Sequence, residues 1–248
     1  MKEILNLNYD NRYPEICNLD IYLPDTNQLC PVFIFFHGGG LEGGSKEDIS
    51  KELKNITVQN IALISVEYRM YPNAKFPEFI EDAAKAIDFV IKYNNKNKLF
   101  SEYFVGGSSA GAYLSMMTYF DKKYLGKYGI DPSIIDGWFF DAGQPTTHFN
   151  VLRERGLDSR LIRVDEAAPL FFVDKNIDTK NQGNLMFIVA ENDIEGRLEQ
   201  TKLLLNTMKQ FNYDMNKVTY KYMEGYTHCA YPIHEMVTDF IINTKKKI

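Results

Sequence analysis

The stretch that decides the fold is FVGGSSAGAY, residues 104–113, in which two serines lie side by side between glycines. An apolar run precedes this stretch and a helix-like segment follows it, so the local order is strand, tight turn and helix. Only Ser109 stands at the centre of a G-x-S-x-G pattern, at 107–111. In that pattern the central serine is exposed on a strained turn at the end of a strand. Ser109 is therefore the candidate nucleophile, and Ser108 is expected to be a small filler that points away.

The bulk properties are those of an ordinary globular protein with one large core. The 248 residues are 45% hydrophobic and 25% charged, and the formal net charge is −5, which gives no reason to expect a nucleic acid or an anionic membrane as partner. No apolar run reaches the length of about 18 residues that a membrane span needs. A secretory signal is not recognisable, and three cysteines do not suggest a disulfide framework. The sequence thus predicts a cytoplasmic protein with reduced thiols.

Strand-like and helix-like segments alternate along the chain, which predicts an α/β fold with a mostly parallel sheet and helices on both faces. The predicted strands are 19–23, 31–36, 61–68, 103–105, 137–141, 185–190 and 218–223. The predicted helices are 77–93, 110–120, 198–211 and 233–241. We expect one domain over 1–248, in which the irregular insertion 144–169 forms a small lid or a wall of the site.

A second glycine-rich stretch, HGGG at 37–40, directly follows the predicted strand 31–36. Glycine lets a backbone approach a ligand closely, and acyl transfer needs backbone N–H groups aimed at the oxygen that becomes an oxyanion. The combination of such a loop at a strand end with G-x-S-x-G about seventy residues later indicates a catalytic serine far more specifically than either motif alone. The two motifs together predict a serine hydrolase, in which His37 holds the loop by hydrogen bonds.

A serine nucleophile needs a base, and the base needs an acid that orients it. Among the four histidines, His228 lies on a loop directly after the last predicted strand and is the candidate base. The loop after the preceding strand offers three carboxylates. Asp193 is the candidate acid because it is far enough past the strand end to turn toward a histidine, whereas Glu191 and Glu195 are expected to be solvated. The order nucleophile, acid, base along the chain is then Ser109, Asp193, His228.

With these motifs the sequence resembles the α/β-hydrolase superfamily, and within it the hormone-sensitive-lipase-like esterases and their short bacterial relatives. The resemblance runs from about Leu19 to the end of the chain. It includes EYRMYP at 67–72, which is similar to the family's D-Y-R-x-x-P, and the acid and histidine loops. It implies an α/β-hydrolase fold with a reduced cap.

The resemblance also implies that Gly38, Gly39 and Ala110 supply the N–H groups of an oxyanion hole. Departures from the family pattern, at Glu67, Ser108, Ala190 and Cys229-Ala230, leave the subfamily and the substrate open. Glu67 replaces the usual aspartate, and Ser108 replaces the common acidic residue before the nucleophile. None of these departures removes a catalytic group.

The predicted function is that of a serine carboxylesterase, which hydrolyses short-chain acyl esters through an acyl-enzyme on Ser109. Carbohydrate acetyl or feruloyl esterases and formamidase-type amidases use the same machinery and stay open as alternatives. A non-catalytic ligand-binding relative and a cysteine hydrolase using Cys229 are further alternatives, although Cys229 adjoins His228 in sequence, which is poor geometry for an ion pair. The expected partner is a small-molecule ester, and the sequence makes no prediction of the oligomeric state.

No metal or organic cofactor is expected. Histidines and cysteines are too scattered for zinc-ligand spacing, and the glycine motifs lack the lysine of a phosphate-binding loop. The insertion 144–169 contains a cluster of four arginines, which are Arg153, Arg155, Arg160 and Arg163. Attraction of an acidic substrate is one interpretation of this cluster, and a solvated helical face is the favoured one.

Overall fold

Apolar runs of the sequence form the strands of one sheet in the computed structural model, which describes residues 1–174 and 182–245. The described strands are β1 (Lys2–Asn8), β2 (Asn18–Leu23), β3 (Cys30–Phe36), β4 (Ala62–Val66), β5 (Phe100–Ser108), β6 (Gly137–Asp141), β7 (Asn184–Asn192) and β8 (Val218–Thr227). They lie in the order β1-β2-β4-β3-β5-β6-β7-β8. The pairs β1–β2 and β2–β4 are antiparallel, and every pair from β4 to β8 is parallel. The predicted mostly parallel sheet is confirmed.

One described strand, β1, is not predicted by the sequence analysis. It is an edge strand that pairs with β2 alone, and its side chains are exposed or half-buried. Leu5, for example, is 49% exposed. A strand that buries so little lacks the continuous apolar run that marks the buried strands, so its sequence carries a weak signal.

Helices cover both faces of the sheet. The described α-helices are α1 (Lys51–Lys54), α2 (Glu78–Asn97), α3 (Ala110–Phe120), α4 (Lys123–Gly126), α5 (Phe149–Glu154), α6 (Arg197–Gln210) and α7 (Ile233–Lys245). Successive side chains of a strand point to opposite faces: in β3, Ile34 packs in the layer of α2, α3 and α6, and Phe33 packs in the layer of α1 and α7. Over 1–174 and 182–245, no helix combines the length and apolarity that crossing a membrane requires.

The parallel strands bring the predicted site residues to one edge of the sheet. Four of them follow directly on a strand: His37 after β3, Ser109 after β5, Asp193 after β7 and His228 after β8. The carboxyl ends of parallel strands meet at the same edge, where ligands of open α/β sheets bind. The fold therefore gathers segments that are up to 191 positions apart, between His37 and His228, around one point.

The insertion 144–169 packs against the body of the protein over part of its length. Thr146, Thr147 and Ala167 are fully buried, and the Tyr113 hydroxyl of α3 donates to the Ala167 carbonyl oxygen at 2.8 Å. This contact attaches the insertion to α3, the helix that follows Ser109. The predicted single domain over 1–248 stays a prediction, since residues 175–181 and 246–248 lie outside the described residues.

Candidate active site

Ser109 occupies a strained turn between β5 and α3. Its backbone has φ 53° and ψ −111°, a sparsely populated conformation for a residue with a side chain. The turn packs tightly against the end of β3, because a Cβ added to Gly111 would lie 1.9 Å from the Phe36 carbonyl oxygen. The Ser109 N–H donates to the Asp141 carbonyl oxygen at 2.7 Å. Ala110 is the first residue of α3, where the N–H groups of a helix have no intrahelical acceptor.

His228 lies within hydrogen-bond distance of the candidate nucleophile. The distance from His228 Nε2 to Ser109 Oγ is 2.9 Å, although the two residues are 119 positions apart. The imidazole is 25% exposed, so its edge is open to the cleft. An imidazole in this position can take the hydroxyl proton as the oxygen attacks an electrophile.

Asp193 holds the other side of this imidazole. Its Oδ1 lies 2.6 Å from His228 Nδ1, and it also accepts the N–H of Ile194 at 2.7 Å. Burial of Asp193 alone would raise its pKa, but the hydrogen bond and charge of His228, together with backbone N–H donors, outweigh burial and hold this pKa below its ordinary value. Because the ionised carboxylate accepts Nδ1–H, the Nε2 lone pair faces Ser109.

The competing carboxylates of the same loop do not approach the imidazole. Glu191 and Glu195 are both exposed, as expected. The Glu191 side chain instead accepts the N–H of Gly225 at 2.7 Å. The structure thus brings Ser109, Asp193 and His228 together and leaves the two glutamates outside the group.

The HGGG loop lies directly over the nucleophile. A Cβ added to Gly38 would contact Ser109 Cβ at 3.4 Å and the Ser108 carbonyl oxygen at 3.2 Å. Gly39 has φ +113°, and a Cβ there would lie 1.9 Å from the Gly43 carbonyl oxygen. Only glycine fits this second position, because any side chain would meet both the unfavourable φ and the backbone of the next turn.

His37 is buried and holds this loop in place. Its Nε2 lies 3.0 Å from Glu67 Oε1, and its ring stacks on Tyr68 at 4.4 Å between centroids. The Tyr68 hydroxyl donates to the His37 carbonyl oxygen at 2.9 Å, and Glu67 Oε2 accepts the N–H of Lys46 at 3.1 Å. Glu67, which replaces the aspartate of the family pattern, therefore takes part in fixing the loop.

A cleft of about 580 Å³ opens beside the Ser109 hydroxyl. Its volume is within the range of small-molecule sites. Apolar side chains from several segments form much of its wall, namely Phe35, Ile49, Leu53, Phe149, Ile194 and Ile233. Among the described residues, the cleft is lined by no lysine or arginine. The cleft therefore presents several apolar side chains beside the candidate nucleophile.

Sequence comparison connects this arrangement with known proteins. Residues 19–135 match the BD-FAE family model. The chain is 27% identical over 190 residues to 3-O-acetylpapaveroxine carboxylesterase CXE2 of Papaver somniferum, covering 67% of this chain and 56% of the relative. It is 29% identical over 143 residues to carboxylic ester hydrolase LipN of Mycobacterium tuberculosis, covering 55% and 36%. The chain thus spans about half or less of the length of these curated relatives.

Solved structures match the fold over 99% of the chain. A truncated form of a carbohydrate esterase from gut microbiota superposes with a TM-score of 0.79 at 21% identity, over 97% of that chain. Esterase B from Lactobacillus rhamnosis superposes with a TM-score of 0.75 at 17% identity, over 87% of that chain. The chain has the α/β fold of these esterase structures. The predicted α/β-hydrolase fold is therefore confirmed.

One residue of this site, Asp141, is not predicted from the sequence. Asp141, the last residue of β6, is 1% exposed, and its Oδ2 accepts the Ser108 hydroxyl at 2.5 Å. Its Oδ1 accepts the Tyr231 hydroxyl. The prediction that Ser108 is only a filler is thus wrong, because its hydroxyl bonds a buried carboxylate. The available signal was an aspartate that ends an otherwise apolar strand, at 137–141.

Cys229 is not placed as a nucleophile. Burial, together with the nearby charges of Asp141 and Asp193, raises the pKa of the Cys229 thiol far above its ordinary value. A thiol that stays protonated is a poor nucleophile. Moreover, Nε2 of His228 faces Ser109. The geometry therefore favours the serine over the cysteine as the nucleophile of this site.

The four arginines of the insertion are all paired with carboxylates. Their ion pairs are Arg153–Glu42 at 2.6 Å, Arg155–Asp165 at 2.8 Å, Arg160–Asp158 at 2.6 Å and Arg163–Asp165 at 2.6 Å. None of the four lines the cleft beside Ser109. These contacts support the favoured interpretation, a solvated face, and give no support to attraction of an acidic substrate.

We expect Arg153→Ala to have a small effect, although Arg153 connects α5 to Glu42 beside the HGGG loop. Both side chains are nearly half exposed, at 45% and 41%, and exposed pairs contribute about 1 kcal/mol or less to stability. Thermal melts and kcat/KM for p-nitrophenyl acetate should both stay close to the parent, with kcat/KM within about threefold. Arg160→Ala is the matched control, because Arg160 pairs with Asp158 two residues away. A tenfold loss in folded Arg153→Ala alone would show that the pair holds the loop.

Proposed function

We propose that the protein is a serine carboxylesterase that hydrolyses neutral, short-chain acyl esters through an acyl-enzyme on Ser109. The observation that carries this proposal is the continuous chain of contacts from Ser109 Oγ through the His228 imidazole to Asp193, at 2.9 and 2.6 Å. The carboxylesterase names of the sequence relatives support the reaction class. Gly38, at the loop over the nucleophile, completes the arrangement that acyl transfer needs.

In the proposed reaction, Ser109 Oγ attacks the ester carbonyl carbon while His228 Nε2 takes the hydroxyl proton. The carbonyl oxygen becomes an oxyanion, which we place against the backbone N–H groups of Gly38, Gly39 and Ala110. The tetrahedral species collapses, and the alcohol leaves with the proton from Nε2. Water then attacks the acyl-enzyme with His228 again as base, which releases the carboxylic acid and restores Ser109.

Asp193 contributes through the imidazolium that forms in both halves of this reaction. Its buried carboxylate lies against Nδ1, so the positive charge develops next to a fixed negative charge in a medium of lower dielectric than water. The same contact selects the tautomer that leaves Nε2 free to accept a proton. Asp193 thereby acts as the orienting acid, without itself taking the proton.

The composition of the cleft supports the substrate class. Much of its wall is apolar, Asp48 is the acidic side chain among the described residues that line it, and no lysine or arginine of the described residues does so, so we expect a neutral acyl group. The test is a panel of p-nitrophenyl esters from acetate to dodecanoate, with acetylated sugars, feruloyl esters and formamides alongside. We expect acetate or butyrate to exceed dodecanoate at least about tenfold in kcat/KM. A clear preference for an acetylated sugar, a feruloyl ester or a formamide would replace the substrate part of the proposal.

Ile233→Phe should change the acyl preference, because Ile233 lines the cleft at the start of α7. A larger ring there fills space that a longer acyl chain would occupy. We expect kcat/KM for the butyrate ester to fall about tenfold relative to the acetate ester. Ile134→Phe is the control, since Ile134 is 46% exposed and lies outside the cleft. Equal losses for the two esters would mean that this wall does not contact the acyl group.

We also propose that the protein is cytoplasmic, needs no cofactor and forms one domain over 1–248 with 144–169 as a wall of the site. All three cysteines are free, which suits a reducing compartment. Within the described parts of the chain, histidines, cysteines and carboxylates form no cluster suited to a metal ion.

A further inference from the structure

A buried carboxylate lies behind the candidate nucleophile and base and contacts neither side chain. Asp141 ends β6, the strand between β5 and β7 in the sheet, and pairs with Ser108 in register. Its side chain is almost completely buried, at 1% exposure. A buried carboxylate is costly unless hydrogen-bond donors satisfy it, so the residues that donate to Asp141 are held where they are.

The nucleophile turn supplies the first set of contacts to Asp141. The Ser108 hydroxyl donates to Oδ2 at 2.5 Å, and the Ser109 N–H donates to the Asp141 carbonyl oxygen at 2.7 Å. Asp141 therefore accepts one hydrogen bond from the Ser108 side chain and one from the Ser109 backbone. These two bonds attach the strained turn to the end of β6.

The histidine loop supplies the second set. Tyr231 is 6% exposed, lies three residues after His228 and donates its hydroxyl to Asp141 Oδ1. Burial and the charge of the same carboxylate contribute to the raised pKa of the thiol of Cys229, the residue after His228. Both oxygens of Asp141 are thus occupied, one by each loop. Burial raises the pKa of the Asp141 carboxyl, and the hydrogen bonds from the Ser108 and Tyr231 hydroxyls oppose that rise.

We infer that Asp141 is a positioning residue, which joins the histidine loop to the nucleophile turn and so sets the distance between His228 Nε2 and Ser109 Oγ. The inference rests on the proposed esterase function of that pair. Proton transfer between the two atoms depends on hydrogen-bond distance, and small misplacements of a reacting group lower the rate strongly. Substrate binding in the cleft does not involve Asp141, because Asp141 does not line it.

The test variant is Asp141→Asn, which keeps the size of the side chain but lacks two equivalent acceptors. We expect kcat for p-nitrophenyl acetate to fall about a hundredfold with KM within about threefold, since binding is unchanged and the reacting pair is misplaced. The rate at which a fluorophosphonate labels Ser109 should fall by a similar factor. Tyr231→Phe removes one donor and should lower kcat and the labelling rate about fivefold, again with little change in KM.

Asp136→Asn is the matched control for a loss of stability alone. Asp136 precedes the same strand at its other end, and its carboxylate accepts the N–H of Tyr103 at 2.8 Å. Thermal melts should fall in this control while kcat and the labelling rate stay at the parent level. If Asp141→Asn fails to fold, Tyr231→Phe decides the question.

Three results would overturn the inference. The first is a folded Asp141→Asn variant whose kcat and labelling rate equal those of the parent. The second is a Tyr231→Phe variant with unchanged kcat. The third is a rise in KM that accounts for the whole loss of kcat/KM in Asp141→Asn. In each of these results the parent enzyme is active, so the proposed function stands. A parent that neither hydrolyses the ester nor reacts with the fluorophosphonate overturns the proposed function, and the inference with it.

Discussion

Ser109→Ala is expected to lower kcat for p-nitrophenyl acetate by about a millionfold, the loss seen when a serine nucleophile is removed from a catalytic triad. The variant removes the atom that forms the acyl-enzyme and nothing else, because the neighbouring backbone contacts, such as the bond from Ser109 N–H to Asp141, do not need the hydroxyl. A thermal melt close to that of the parent should show that the fold is intact.

Ser108→Ala is the control, since it removes the same group from the adjacent residue. The Ser108 hydroxyl donates to Asp141, which keeps the Tyr231 hydroxyl as its second donor. We therefore expect this variant to stay within about tenfold of the parent, as a positioning contact that is only partly lost. Comparable losses from the two alanine substitutions would show that the register of the nucleophile is misassigned.

Asp193→Asn is expected to lower kcat about ten-thousandfold, the second-largest effect. The amide can present its NH₂ group to His228 Nδ1, which imposes the tautomer that carries its proton on Nε2 and so blocks acceptance of the Ser109 proton. Removal of the negative charge also takes away the group that stabilises the imidazolium. The measurement is ester hydrolysis at neutral pH, with thermal melts to confirm folding.

Glu191→Gln and Glu195→Gln are the matched controls for Asp193→Asn, because each makes the same chemical change in the same loop. Both glutamates are exposed, and solvated carboxylates contribute little to the orientation of a buried base. We expect each variant to stay within about tenfold of the parent. If Glu195→Gln is the inactive variant, the acid is Glu195 and Asp193 is a turn residue.

Glycine-rich motifs predict those parts of the site in which a side chain would not fit against the surrounding backbone. Gly111 can only be glycine because of the adjacent β3 backbone, and Gly39 can only be glycine because of its φ and of Gly43. The buried strands and α3 are also predicted, since a continuous apolar run or a helical period is a property of neighbouring residues.

The contacts of Asp141 are not predictable in this way. They depend on the register of β5 against β6 and on the path of the histidine loop, which returns Tyr231 to a residue 90 positions earlier. A single sequence shows an aspartate at the end of a strand but not the loops that meet it. The sequence analysis does not predict the edge strand β1 either, because its side chains are exposed or half-buried and so do not form a continuous apolar run.

Covalent labelling shows whether Ser109 is the nucleophile of an esterase. The protein is incubated with a fluorophosphonate, digested, and mapped by mass spectrometry while residual ester hydrolysis is followed in parallel. We expect one phosphonyl group per chain, on Ser109, with hydrolysis lost in proportion to labelling and no labelling in Ser109→Ala. A protein that hydrolyses the ester while Ser109 stays unlabelled, or that is labelled on Ser108 or Cys229 in its place, would contradict this assignment of the nucleophile.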